Sequence, residues 1–262
     1  MNLVDIGINL THPSFDKDCK EVMQAAANAG VKILVITGTS VSASQKAHSF
    51  IEQNKNSPCK LFFTAGIHPH EASGCDNSAI EALHGMAGQG AIAIGECGLD
   101  YCRDYSPRPV QRQCFEKQLE LATELKLPLF LHEREAFADF KDMLKNAMQK
   151  VPGAVVHCFT GSETELEAYL DMGCHIGITG WICDERRGLH LANLVKKIPS
   201  NRLLIETDAP FLAPRDLPGK KIHRNEPKYL PHIAQVIARY VNKDPAVLAE
   251  ETYANSIRFF GI

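Results

Sequence analysis

The sequence predicts an α/β protein folded as one (β/α)8 TIM barrel, and two observations carry that expectation. Eight short apolar runs rich in Val, Ile, Leu and Phe read as strands buried on both faces. Most are followed by a segment with apolar residues at three- and four-residue spacing, the mark of a helix with one buried face. Strands alternating with helices pair in parallel through right-handed crossovers, and eight repeats favour a closed barrel over an open sheet. A length of 262 residues suits one such barrel. No linker, charge run or low-complexity tract divides the chain, so residues 1–262 read as a single catalytic domain.

The expected strands are Leu3–Leu10, Val31–Thr37, Leu61–Ile67, Ala91–Gly95, Pro128–His132, Ala154–His157, His175–Thr179 and Arg202–Glu206. Between them, Phe115, Leu119, Ala122 and Leu125 line one helix face, and Leu166, Tyr169 and Leu170 contribute to another. Gly30 before Val31 and Gly173 before Cys174 stand where a glycine ends a helix and releases the chain into a strand. Pro107 and Asp184 occupy positions suited to helix starts. A last helix over Pro245–Phe260 is expected to pack outside the barrel.

Composition narrows the class. Hydrophobic content of 45% with 23% charged residues supplies an ordinary soluble core. A net charge of −3 excludes a broadly basic, duplex-coating protein, so any nucleic-acid contact must come from a local patch. The nine cysteines form no C-x-x-C pair, which favours reduced thiols. The N-terminus lacks a basic segment followed by an apolar one, and no apolar run reaches the ~18 residues of a membrane span. The expectation is a cytoplasmic monomer without membrane or obligatory protein partners.

Polar motifs follow the strands. They are GIHPH (Gly66 to His70), GECGLD (Gly95 to Asp100), LHERE (Leu131 to Glu135), HCFTG (His157 to Gly161) and ETDAP (Glu206 to Pro210). Placed at carboxyl ends of strands, they fall on the catalytic face of such a barrel. Glu96 then follows the fourth strand, His132 ends the fifth, His157 ends the sixth and Asp208 follows the eighth. A histidine alone is more often a hydrogen-bonded structural residue. Two imidazoles and one or two carboxylates on four strand ends instead form a sensible divalent-metal ligand set. Asp100 reads equally as a turn residue or as the orienter of a loop or water.

GIHPH, GECGLD, HCFTG and ETDAP resemble the signature segments of the TatD family of metal-dependent deoxyribonucleases, barrel enzymes of the metallo-dependent hydrolase type. The resemblance runs from Asp5 to the last helix. Ile178 to Gly188 (ITGWICDERRG), and PRDL followed by RNEP within Pro214 to Pro227, point to one branch of that family. The wider family opens with Asp-x-His-x-His, whereas this chain has Asp5-Ile6-Gly7-Ile8-Asn9. The resemblance implies a metal held by Glu96, His132 and His157, with Asp208 nearby as ligand or proton acceptor. The loss at Gly7 and Asn9 weakens the first of two metal positions, and the branch itself shares that loss. Glu96 and Asp208 are the expected catalytic carboxylates. Mg²⁺ is the expected cofactor by resemblance, with Mn²⁺ and Zn²⁺ open because imidazoles suit them better.

The same reading expects an exonuclease that hydrolyses phosphodiester bonds of single-stranded DNA, with RNA left open, because a closed barrel mouth with a small basic patch suits a strand end. The resemblance adds 3′ to 5′ polarity and a role in DNA repair or turnover. Expected substrate contacts are His68, His70, Arg134, Arg215, Arg224, Tyr101 and Trp181. Arg215 and Arg224 belong to a basic cluster with Lys220, Lys221 and His223, and Arg186 and Arg187 also follow a strand end. Cations there suit phosphates, and Tyr101, Phe159, Trp181 and Phe211 suit base stacking at the mouth. Two alternatives stay open: a small-molecule amidohydrolase or phosphoesterase on the same barrel, and a nucleic-acid-binding protein impaired in catalysis.

Overall fold

A computed structural model describes residues 1–217, 219 and 222–262, so Lys220 and Lys221 of the basic cluster lie outside the described residues. Eight parallel strands run β1 (Leu3–Ile8), β2 (Val31–Ile36), β3 (Lys60–Phe63), β4 (Ile94–Asp100), β5 (Leu129–Arg134), β6 (Ala154–Val156), β7 (His175–Ile178) and β8 (Leu203–Ile205). They pair in sequence order as a three-stranded and a five-stranded sheet. A few backbone contacts join the two at each seam. Ala65 bridges to Ile94 between β3 and β4, and Asp208 N–H donates to Gly7 C=O at 2.9 Å between β8 and β1. The result is the TIM barrel that the strand count predicts.

Helices α1 (Cys19–Asn28), α2 (Val41–Gln53), α3 (Asn77–Gly88), α4 (Arg108–Leu125), α5 (Phe137–Ala147), α6 (Glu163–Asp171), α7 (Leu191–Leu194), α8 (Leu230–Tyr240) and α9 (Pro245–Phe260) follow or flank the strands. Their starts are chemically marked. Ser40 caps α2, and Ser162 with Glu165 forms a capping box on α6. Gly30 and Gly173 follow the ends of α1 and α6 at φ values of 95° and 85°, the left-handed backbone that glycine adopts without penalty.

Three expectations shift. β4 begins three residues later than Ala91 and continues to Asp100, so Glu96 lies within the strand. Asp184 opens no helix; it ends the short 3₁₀ turn Gly180–Cys183, where its carboxylate accepts from Arg186 and Arg187. The final helix has the expected bounds, but Phe259 and Phe260 enter the inner cluster formed by Val4, Ile6, Ile33, Val35, Phe130, Val155 and Leu204. Phe259 lies against His175 at the start of β7, so α9 closes the end of the barrel opposite the polar motifs.

Candidate metal centre

The carboxyl ends of the strands surround a cavity of about 470 Å³ lined by Asn9, His68, His70, Glu96, His132, Arg134, His157, Trp181, Asp208 and Phe211 among others. Its floor is a single carboxylate with imidazoles gathered on it. Glu96 Oε1 lies 2.9 Å from His132 Nδ1, 2.9 Å from His157 Nε2 and 3.4 Å from His68 Nε2. β4, β5, the turn after β6 and the turn after β3 supply these four groups.

Each of the two central imidazoles is backed by a second carboxylate. His132 Nε2 lies 3.3 Å from Asp100 Oδ2, and His157 Nδ1 lies 3.3 Å from Glu206 Oε2. That backing fixes which ring nitrogen faces Glu96, an arrangement common where histidine ligates a cation. A carboxylate with neighbouring imidazoles suits a divalent ion, and Glu96, His132 and His68 offer ligand atoms within 4.8 Å of one another, with His157 on the same carboxylate oxygen. His68 is turned differently. Its Nδ1 accepts from His70 N–H at 3.1 Å, so the neutral ring carries its proton on Nε2, facing Glu96 and the cavity.

Electrostatics follow from this crowding. Burial works against charge on His132 and His157, yet the carboxylates outweigh it: Asp100 and Glu96 raise the first, and Glu96 and Glu206 raise the second well above the usual range. Burial would lift Glu96, but His157, His68 and His132 hold it well below an ordinary carboxylate. Burial drives His68 down to about 4, with Glu96 opposing the fall and His132 and His70 adding to it. Burial pushes Asp208 up to about 7, with Glu96 and Glu206 adding to the rise and His157 opposing it.

Asp208 reaches the cavity on a left-handed backbone at φ 53°, and Cys158, next to His157, does so at φ 46°. Such conformations are costly for residues other than glycine and cluster at functional sites. Asp208 Oδ1 accepts from Asn9 Nδ2 at 3.0 Å. Asn9 therefore contributes an amide donor where the wider family would place a histidine.

Gly7 is occupied space rather than a gap. A Cβ there would collide with Glu206 Oε2 and come within 3.0 Å of Phe130 Cζ, and one on Gly177 would come within 2.6 Å of Glu206 Oε1. The two glycines make the slot in which the Glu206 carboxylate reaches His157 and accepts from Cys158 N–H at 2.6 Å.

The sequence-based substrate contacts divide in two. His68, His70, Arg134 and Trp181 line the cavity, and Phe211 joins them at 49% exposure. Tyr101, Arg215 and Arg224 do not. Tyr101 donates its hydroxyl to Asp139 at 2.6 Å and stacks under Arg108. Arg215 is drawn to Asp184 and Glu185. Arg224 lies over Phe15 and pairs with Asp18 and Glu226. Phe159 is buried against Tyr169 and leaves the mouth altogether. Glu206 was not singled out in the sequence, although it heads the ETDAP motif. Asp100 takes the turn role, its Oδ1 accepting the N–H of Cys102 and Arg103, while its Oδ2 faces His70 and His132.

A barrel whose strand ends converge on a carboxylate and carboxylate-backed imidazoles defines a metallo-dependent hydrolase. The particular family follows from comparison. The family model described as TatD related DNase matches residues 4–261, and the chain belongs to that family. It is 47% identical over 262 residues to the 3′-5′ ssDNA/RNA exonuclease TatD of Escherichia coli K12, covering 99% of each chain. It is 47% identical over 260 residues to the protein of that name from Cronobacter sakazakii, covering 98% of this chain and 97% of the relative. Among solved structures, a TatD-family hydrolase from Entamoeba histolytica superposes with a TM-score of 0.90 at 27% identity, covering 99% of this chain and 98% of that one. An uncharacterised amidohydrolase from Saccharomyces cerevisiae gives 0.89 at 25% identity, covering 99% and 100%.

Proposed function

We propose that this protein is a divalent-metal-dependent exonuclease that shortens single-stranded DNA, and RNA, from the 3′ end, with the whole chain as one catalytic unit. The observation that carries the reading is the pair of imidazoles converging on Glu96 Oε1 with Asp100 and Glu206 behind them. The relatives' named activity supplies the substrate class and polarity. Glu96, His132 and His157 would hold the cation, with Asp208 at its edge. We assign Mg²⁺ to the site, with Mn²⁺ and Zn²⁺ as ions that the imidazoles also accommodate.

When bound, the cation lowers the pKa of a water and polarises a phosphoryl oxygen. The chain's own groups do the rest. Asp208, fixed by Asn9, orients the attacking water and accepts its proton. His68 directs its Nε2–H into the cavity, where a phosphate oxygen can accept it. Arg134 provides a positive group at the rim, and Trp181 and Phe211 offer faces on which unpaired bases stack. A cavity of this size admits a strand end rather than the flank of a duplex, which suits trimming. An intracellular role in DNA repair or turnover accords with that chemistry. No described helix is long and apolar enough to cross a membrane.

The test is cleavage of 3′-labelled and 5′-labelled single-stranded oligonucleotides by metal-stripped protein with Mg²⁺, Mn²⁺ or Zn²⁺ restored separately. Cation-dependent loss of nucleotides from the 3′ end is expected. Asp208→Asn should abolish turnover, and full activity in that variant would remove Asp208 from the mechanism. Absence of cleavage with every cation would overturn the reading.

A further inference from the structure

We propose a second metal site, built from Cys183, Asp216 and His232 and suited to Zn²⁺, that fastens the loop after β8 to the turn after β7. One ligand atom from each residue lies within 4.8 Å of the others. The three come from separate elements: Cys183 closes the 3₁₀ turn Gly180–Cys183, Asp216 lies in the loop between β8 and α8, and His232 sits in the first turn of α8. None of them lines the catalytic cavity, so the site stands whether or not the nuclease reading does.

The donor chemistry separates the two centres. The catalytic floor offers oxygen and nitrogen; this one adds a thiol, and a sulfur, nitrogen and oxygen set selects Zn²⁺ over Mg²⁺ or Ca²⁺. His232 Nε2 already lies 2.6 Å from Asp216 Oδ1, while the sulfur is buried. Ligand distances of about 2.0–2.3 Å require the pair to part only slightly around an entering ion. Asp216 is 39% exposed on its side chain and His232 is 20% exposed, so water can complete a fourth position from the solvent side. Entry of the ion releases the Cys183 thiol proton to solvent, leaving a thiolate–metal bond with no change in oxidation state.

The position gives the site a consequence. Trp181, two residues before Cys183, lines the cavity, as do Phe211 and Leu212 at the start of the loop that carries Asp216. Arg215, one residue from Asp216, already reaches Asp184 and Glu185 across the same junction. The bound ion would therefore hold together the two segments that form one wall of the mouth.

The experiment is a titration of metal-free full-length protein with Co²⁺, read by the thiolate-to-cobalt charge-transfer absorption that oxygen and nitrogen ligands do not produce. The expected result is a band that Zn²⁺ displaces, that is lost in Cys183→Ser, and that keeps its intensity in Cys158→Ser and in Glu96→Gln. Asp216→Ala removes an exposed group and keeps the fold safe to interpret. It should weaken Co²⁺ binding at this site by more than the ~10–100-fold that loss of a supporting residue behind a ligand costs. No charge-transfer band in the wild-type protein, a band that survives Cys183→Ser, or wild-type affinity in Asp216→Ala would overturn the proposal.

Discussion

The carboxyl ends of β4 to β6 and the end of β1 face the same cavity with opposite contributions. The first group delivers Glu96, His132 and His157 as converging donors, each ring held by a further carboxylate. β1 delivers Gly7, with no side chain, and Asn9, with a neutral amide. The contrast suggests a metal position weakened at β1, and the packing shows what the two residues do instead. The space above Gly7 holds Glu206, which steadies His157, and Asn9 steadies Asp208. β1 acts on the site through other residues: it makes room and fixes orientation where β4 to β6 supply the converging donors.

The largest expected effect breaks the donor side of that contrast. Glu96→Gln keeps the side chain's shape while removing its charge, and cleavage should fall on the order of a thousandfold. Oligonucleotide trimming measured beside circular dichroism would check it; near-normal activity in a folded variant would show the cation to be held elsewhere. The next prediction concerns the β1 side. Gly7→His, which writes the wider family's residue back into the strand, should lower both activity and melting temperature, because the ring must displace Glu206 and press on Phe130. The cost in stability should be about 1–3 kcal/mol, as for other overpacked cores. A gain in metal stoichiometry with stability intact would mean that Gly7 is a simple vacancy.

A smaller effect sharpens the link between the two regions. Glu206→Gln preserves volume but leaves one oxygen to serve both His157 and Cys158. Cation affinity measured by calorimetry should drop about 10–100-fold. Affinity equal to wild type would reduce Glu206 to packing.

A pH effect tests β1 itself. Asp5 is fully buried, and desolvation with repulsion from Glu206 pushes it up to about 8 despite hydrogen bonds from Thr207 and Gly7. Its folded pKa exceeds the unfolded value of about 3.9. The native state therefore retains a proton that the unfolded chain gives up, and stability falls as pH rises through that interval. Melting temperature should decline between about pH 5 and pH 8, and Asp5→Asn should flatten the slope. An unchanged slope in the variant would assign the dependence to other groups.

Much of this barrel is legible in the sequence because its strands are continuous apolar runs and its site residues follow them directly. Glu96, His132, His157 and Asp208 could be assigned to the fourth, fifth, sixth and eighth strands by that rule, although Glu96 and His132 prove to lie inside β4 and β5 rather than at their ends. What pairs with them could not. Asp100 meets His70 and His132 across 30 and 32 residues, and Glu206 meets His157 across 49, through register that only the closed barrel sets. The slot for Glu206 needs two glycines from β1 and β7 at once. Arg224 shows the reverse failure: a cation in a basic stretch looks available until the fold lays it over Phe15 between Asp18 and Glu226. Tyr101 likewise reads as a mouth aromatic, but its hydroxyl finds Asp139 on α5.

Everything proposed for the catalytic cavity depends on whether His132 and His157 hold the cation beside Glu96. The most direct test is an electron paramagnetic resonance titration of the metal-free protein with Mn²⁺, comparing wild type with a folded His132→Ala/His157→Ala variant. Nitrogen hyperfine coupling from imidazole is expected in the wild-type spectrum, with coupling and affinity both lost in the variant. The same coupling and affinity in both proteins would contradict it and place the ion away from the imidazoles on β5 and after β6.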